Sequence, residues 1–237
     1  MEFQGILFDK DGTLFDFGAT WNAWAGAVIQ DLSAGDPTRA AALARAVHFD
    51  LSSGRFHPDS PVIAGTNDEA AALFHSALPE RPVEEIAAFL IRKAADADLV
   101  PTAPLSPLLA GLAARGLRLG VMTNDSAYSA HAQLRAAGIF DHFDFVAGFD
   151  SGHGAKPAPA PLLAFAAQHG LPPASVVMVG DSTHDLAAGR AAGMATVGVL
   201  TGPASARDLA DLADVILPDI GHLPAWLDGT VPALDNA

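Results

Sequence analysis

The sequence predicts an α/β protein, a doubly wound parallel sheet interrupted by an inserted all-helical domain. Short apolar, partly β-branched runs recur at FQGILFD, LRLGVMTN, DFVAGF, SVVMVGD, ATVGVL and DVILP, most of them separated by alanine-rich stretches competent to form helices. Strand and helix in repeated alternation are the pattern of a parallel sheet covered on both faces. One connection breaks the rhythm: the chain between the first and second runs is far too long for a simple crossover. Ligands of such sheets sit beyond the carboxyl ends of the strands.

In chain order, the first strand runs into ILFDKDGTLFD, residues 6–16, and stops at Asp9 and Asp11. Read alone, KDGT is most simply an Asp-Gly hairpin turn. The insertion, residues 17–98, holds the helix-competent stretches ATWNAWAGAVIQDL, DPTRAAALARAVHFDL, NDEAAALFHSAL and PVEEIAAFLIRKAAD, with Asp36 before Pro37 and Asn67 before an acidic pair as helix starts. Trp21 and Trp24, three apart on one helical face, read as insertion core. Arg55 and His57 lie in the loop SSGRFHPDSP, more exposed than the helices, and are the substrate-contact candidates of the insertion. VPTAPLSP, with three prolines in eight residues, marks the return to the core domain, which comprises residues 1–16 and 99–237.

At 237 residues and 50% hydrophobic, the chain can bury a full core. Its 27 acidic and 13 basic residues give a net charge of −14, which argues against nucleic acid or an anionic membrane as partner. An anionic ligand must be met by local cations. The absence of cysteine excludes disulfides, thiolate metal sites and thiol nucleophiles. The N-terminus lacks the basic and apolar regions of a signal peptide, and no apolar run approaches the ~18–20 residues of a membrane span. The expectation is a soluble cytoplasmic protein, monomer or homodimer.

Four strand ends carry polar residues that a doubly wound sheet gathers at one edge: Asp9 and Asp11, Thr123 in VMTND, Lys156 in GAKPAP, and Asp181 and Asp185 in MVGDSTHD. Asp9 and Asp11, two apart, can point the same way near a strand end. Asp185 falls in the first turn of the next helix, where the dipole favours a carboxylate, and Ser182 stands near its N-cap. Converging carboxylates repel and raise one another's pKa unless a cation joins them. Oxygen ligands alone favour a hard divalent ion, Mg²⁺. A carboxylate nucleophile, a hard metal, a hydroxyl and a lysine are what an aspartyl-phosphate mechanism requires. Asp9 is then the nucleophile and Asp11 the proton donor and acceptor.

At these residues the sequence resembles the haloacid dehalogenase superfamily of phosphohydrolases, particularly phosphoglycolate phosphatase-like members with a helical cap inserted after the first strand. DKDGTL, VMTND, AKPAP and VGDSTHDLAAGRAAGM look like its four motifs, in order, and the likeness covers nearly the whole chain. The resemblance implies a Rossmann-like core. It implies Asp9 as nucleophile and metal ligand, and Asp11 as acid/base lending its backbone carbonyl to the metal. Thr123 and the Asn124 backbone would hold phosphoryl oxygens, Lys156 would bridge phosphate and Asp9, and Asp181, with Asp185 behind it, would ligate Mg²⁺. Position 10 departs from the phosphatase relatives, which more often carry an apolar residue there; strand alternation predicts that Lys10 points away from Asp9 and Asp11. The expected activity is hydrolysis of a small phosphorylated metabolite such as phosphoglycolate or a sugar phosphate. The alternative is a phosphomutase of the β-phosphoglucomutase type. A signalling receiver module, which also phosphorylates an aspartate, accounts for neither the insertion nor Asp11.

Overall fold

The first apolar run forms β1 (Gly5–Phe8), buried at every position. The insertion follows as α1 (Phe17–Ser33), α2 (Pro37–Ala46), β2 (Phe49–Asp50), β3 (Arg55–Phe56), α3 (Asn67–Ala77) and α4 (Val83–Ala95). The chain continues through α5 (Leu105–Ala114), β4 (Arg118–Met122), α6 (Ala127–Ala136), β5 (Phe145–Ala147) and α7 (Ala160–Gln168). It ends with β6 (Val176–Gly180), α8 (Thr183–Ala192), β7 (Ala195–Val199), α9 (Ala206–Leu209), β8 (Val215–Leu217) and α10 (Leu223–Leu227). This computed structural model describes residues 3–230.

The sheet has six strands in the order β5-β4-β1-β6-β7-β8, every pair parallel. The order reverses direction at β1 and β6, which makes their carboxyl ends the topological switch point where such sheets bind ligands. Alternation along β1 sends Ile6 and Phe8 into a cluster with α5 leucines and Leu7 into another with Leu162 and Phe165 of α7. Phe165 is fully buried over the sheet where it is floored by glycine: a Cβ on Gly5 or Gly120 would crowd its ring.

Residues of the insertion form a separate apolar cluster that includes Trp24, Ile29, Leu43, Phe74 and Leu90. Its helix starts follow local chemistry. Asp36 caps α2 by accepting from Thr38 and Arg39 N–H, with Pro37 just inside. For α3 the cap is Thr66, one residue before the expected Asn67, because Thr66 and Glu69 form a reciprocal capping box. The insertion is also not wholly helical. α2 stops at Ala46, and the chain turns through His48 at φ 50° into the β2–β3 hairpin. There the Phe49 and Phe56 rings meet edge to face at 5.2 Å, and Asp50 accepts from Ser52 N–H to hold the turn. The two crossings between insertion and sheet lie side by side: Asp16 N–H donates to Val100, and Thr102 Oγ1 donates to the Thr13 carbonyl at 2.7 Å. Among the described residues no helix is long and apolar enough to cross a membrane.

Phe165→Ala is expected to destabilise the protein by ~3–5 kcal/mol through the cavity it leaves. Gly120→Ala is expected to cost ~1–3 kcal/mol by overpacking the same ring. Urea midpoints of the two variants check both, and unchanged midpoints would contradict this packing.

Candidate active site

The β1–β6 ladder places the first aspartate. Asp9 N–H donates to the Val179 carbonyl at 2.8 Å, so Asp9 lies beside the end of β6 and next to Asp181. Gly12 takes φ +87°, and a Cβ there or on Gly202 would overlap the Asp181 carboxylate; only glycines allow the two loops to close on that side chain. On the other flank of β1, Thr123 follows β4, buried, with its N–H donating to the Ala147 carbonyl at 3.0 Å.

Lys156 holds the centre. Its buried Nζ lies 2.5 Å from Asp9 Oδ1 and 2.6 Å from Asp185 Oδ1. The other Asp185 oxygen accepts from Ser182 Oγ at 2.6 Å and Ser182 N–H at 3.0 Å, the capping box of α8. Asp181 is less well served: among the described residues, the side chain bonded to it is the Thr13 hydroxyl at 3.4 Å. Oxygens of Asp9, Asp181 and Asp185 lie within 4.8 Å of one another, all three residues buried. Burial pushes the Asp9 carboxyl up to about 7; Lys156 opposes the rise, and Asp185 and Asp11 add to it. Burial, then Asp9 and Asp185, raise Asp181 well above the carboxylate range. Burial works against the charged form of Lys156, but Asp185 and Asp9 outweigh it and raise its pKa. A cluster of buried carboxylates short of positive charge, with oxygen donors only, fits a hard divalent cation.

Asp11 stands apart from that cluster. Its carboxylate is paired with Lys10, at 2.8 Å from Oδ1 and 2.7 Å from Oδ2. Lys10 therefore does not point away from Asp11 as strand alternation predicts. The reason is that regular strand geometry ends at Phe8. Lys10 is fully buried, pairs also with Asp125 at 3.2 Å, donates to Gln133 Oε1, and sits 5.3 Å from the centre of the Trp21 ring. Burial lowers its pKa, yet Asp11 and Asp125 together raise it above its ordinary value of 10.5. Asn124 contributes more than the backbone that the resemblance implied. Its side chain accepts from Lys156 N–H at 3.0 Å and donates to the carbonyls of Lys156 and Ala64, both at 2.9 Å, which ties the lysine loop to the insertion. Sequence reading missed Asp125 and Gln133; a buried lysine needing partners was the signal for both.

A cavity of about 90 Å³ opens over these groups, lined by Asp9, Asp11, Thr123, Asn124, Lys156, Asp181 and Asp185 from below. Arg55 and His57 do not line it; both are exposed. They flank Phe56, which does line it, because neighbours along an extended segment face opposite ways. Trp21 and Trp24, expected as core, are both core and cavity wall.

A carboxylate and a lysine at a switch point, beside acidic groups suited to a cation and roofed by an insertion, define a hydrolase for anionic esters. The family model for haloacid dehalogenase-like hydrolases matches residues 3–193, and the chain belongs to that family. A phosphoglycolate phosphatase of Neisseria meningitidis is 31% identical over 234 residues, covering 98% of this chain and 92% of the relative. One of Rhodospirillum rubrum is 39% identical over 130 residues, 54% of each chain. Crystalline CbbY of Rhodobacter sphaeroides, in complex with phosphate, shares the fold with a TM-score of 0.72 at 22% identity, over 95% of this chain and 99% of that one. The enzyme class is that of a phosphatase.

Two stability tests follow from the charges. The Asp9 carboxyl takes up a proton in the folded state as pH falls through about 7, and that of Asp181 is raised as well, so protonation relieves a repulsion present at higher pH. In chelator, Asp181→Asn should therefore melt above wild type at pH 8, by about 2–4 °C per kcal/mol relieved, with the gap closing toward pH 6. Added Mg²⁺ should raise the wild-type midpoint and not that of the variant; a variant that melts lower at pH 8, or keeps the shift, would contradict the site. Lys10→Met leaves Asp11 and Asp125 without their counter-charge and should cost ~3–5 kcal/mol near neutral pH. The wild-type contribution of Lys10 is complete below pH 10.5 and lost as pH rises through its higher folded value. Urea titrations near neutral pH check this, and a variant as stable as wild type would show the pairing to be dispensable.

Proposed function

We propose that this chain is a Mg²⁺-dependent phosphomonoester hydrolase of a small phosphorylated metabolite, acting through an aspartyl-phosphate on Asp9, with residues 17–98 as its cap. The observation that carries the proposal is Lys156, shared between Asp9 and Asp185 within 2.6 Å at the switch point. In the first half-reaction an Asp9 oxygen attacks phosphorus, the P–O bond to the leaving group breaks, and Asp11, entering the step protonated, passes that proton to the leaving oxygen. In the second, water attacks phosphorus, Asp11 takes the water's proton, and the P–O bond to Asp9 breaks to release inorganic phosphate. Lys156 offsets the repulsion between the Asp9 carboxylate and the phosphoryl oxygens, and Thr123 with the Asn124 backbone would hold those oxygens. Mg²⁺, with Asp9, Asp181, Asp185 and the Asp11 carbonyl as ligands, would supply further positive charge at the same place.

Phosphoglycolate, named for several relatives, and sugar phosphates are the substrate groups the motifs admit. A cleft of about 1120 Å³ reaches Lys156, Asp181 and Ser182 from the side. Such a water route supports hydrolysis over the mutase alternative, which needs the phosphoenzyme kept from water.

Asp9→Asn is expected to fold normally and to lose turnover of phosphomonoesters, read as phosphate release. Chelation should silence the wild type and Mg²⁺ restore it. Lys156→Ala should lower kcat/KM by about 10²-fold or more, the loss typical of removing one electrostatic donor. Substantial turnover by purified Asp9→Asn protein would end the mechanism.

A further inference from the structure

We infer that the ester preferred by this site has an uncharged, largely apolar leaving group bearing a hydrogen-bond acceptor for Trp24, not a second anionic group. The inference rests on the phosphatase reading and narrows it.

The insertion's share of the cavity wall is mostly aromatic and aliphatic, with Phe17, Trp21, Trp24, Phe56, Val62 and Ile63, and Thr66 and Asn67 are its polar members. Trp21 and Trp24 meet edge to face at 5.1 Å, and the Lys10 ammonium over Trp21 anchors the pair to the sheet domain. Trp24 is 9% exposed, yet its indole Nε1–H is buried without a hydrogen-bond partner, and so is that of Trp21. An indole N–H can only donate, so the missing partner is an acceptor. Buried donors of this kind are ordinarily satisfied. An acceptor on a bound ligand would satisfy it here.

Charge points the same way. Among the described residues lining the cavity and the adjoining cleft, the only basic side chains are Lys156 and His184. Lys156 is already divided between Asp9 and Asp185, and His184 stands in the first turn of α8, on the sheet side with the phosphate groups. The cleft adds Asp59, Glu69 and Asp208. A leaving-group carboxylate, as in phosphoglycolate, would face negative aromatic faces and no cation, and a buried anion without a partner is strongly disfavoured.

The test uses the full chain with Mg²⁺ and measures phosphate release from 2-hydroxyethyl phosphate, phosphoglycolate, phenyl phosphate and acetyl phosphate. The first two differ chiefly in exchanging a hydroxymethyl for a carboxylate. The expected result is a kcat/KM for 2-hydroxyethyl phosphate at least roughly tenfold above that for phosphoglycolate, within the range a pocket discriminates. Trp24→Phe, which keeps a ring and removes the N–H, should lower kcat/KM for 2-hydroxyethyl phosphate more than for phenyl phosphate. Val62→Lys, a loop substitution that installs a cation, should raise phosphoglycolate relative to 2-hydroxyethyl phosphate. Phosphoglycolate turned over as well as or better than 2-hydroxyethyl phosphate by the wild type would overturn the inference and leave the phosphatase reading standing. Equal losses on both esters in Trp24→Phe would remove the role of its N–H. Release from none of the four, acetyl phosphate included, would overturn the phosphatase reading and this inference with it.

Discussion

Lys156, held 2.5 Å from Asp9 and 2.6 Å from Asp185, is the interaction on which the remainder of the site depends. Among the described residues, the lysines that answer Asp9, Asp11, Asp125, Asp181 and Asp185 around the strand ends are Lys10 and Lys156. Lys10 serves Asp11 and Asp125, so Lys156 alone answers the other three carboxylates. Burial, together with that imbalance, pushes the Asp9 carboxyl up to about 7 and raises that of Asp181 well above its ordinary value. The imbalance also explains the effort spent on holding one lysine. Asn124 clamps the Lys156 backbone from both sides, and the Ser182 capping box fixes the Asp185 carboxylate that faces its ammonium. An unanchored lysine would drift toward whichever acid was nearest, and the Asp9 carboxylate would lose its orientation.

The sheet topology decides which acids meet. β1 lies between β4 and β6, so the residues that follow these three strands, Asp9, Thr123 and Asp181, are neighbours although far apart in sequence. The insertion leaves and returns through adjacent backbone at Asp16 and Val100, which lets a large unit be added without disturbing β1. Polar contacts then tie that unit to the chemistry: Asn124 to Ala64, Gln133 Nε2 to the Ala94 carbonyl at 2.7 Å, and Lys10 to the face of Trp21. A tilt of α1 or α4 is therefore felt at Lys10, which pairs with Asp11, and a shift of the loop at Ala64 is felt at Asn124, which holds Lys156.

The alternating apolar runs made the sheet legible in sequence, because a strand buried on both faces must be apolar at nearly every position. The acids at strand ends were legible too, since their chemistry is carried by residue type and order. Side-chain direction was not. Alternation predicted Lys10 outward, but beyond Phe8 the chain is no longer a strand, and the partners that draw Lys10 inward, Asp125 and Gln133, are remote in sequence. The insertion was hardest to read. Its hairpin depends on Phe49 meeting Phe56 across a turn that no helical period reveals. Exposure of the loop suggested Arg55 and His57, whereas the aromatic residue between them faces the cavity. Trp21 and Trp24 show why apolar spacing cannot separate core from cavity wall: the two share one surface, and only the third dimension tells which atoms lack neighbours.

With a net charge of −14, the molecule as a whole repels the phosphate esters it is built to bind. At physiological ionic strength that field fades within ~8 Å, so recognition falls to groups in direct contact with the phosphate. In the proposed mechanism those groups lie on the sheet side: Lys156, Thr123 and the Asn124 backbone. The insertion contributes no cation to the cavity wall among the described residues, and its task is different. Its aromatic surface keeps water from one side of the cavity, which strengthens the few charges facing it, while the side cleft leaves a route for water to Lys156 and Asp181. The proposed mechanism thus divides phosphate recognition and leaving-group selection between two parts of the chain. Either part can change without dismantling the other.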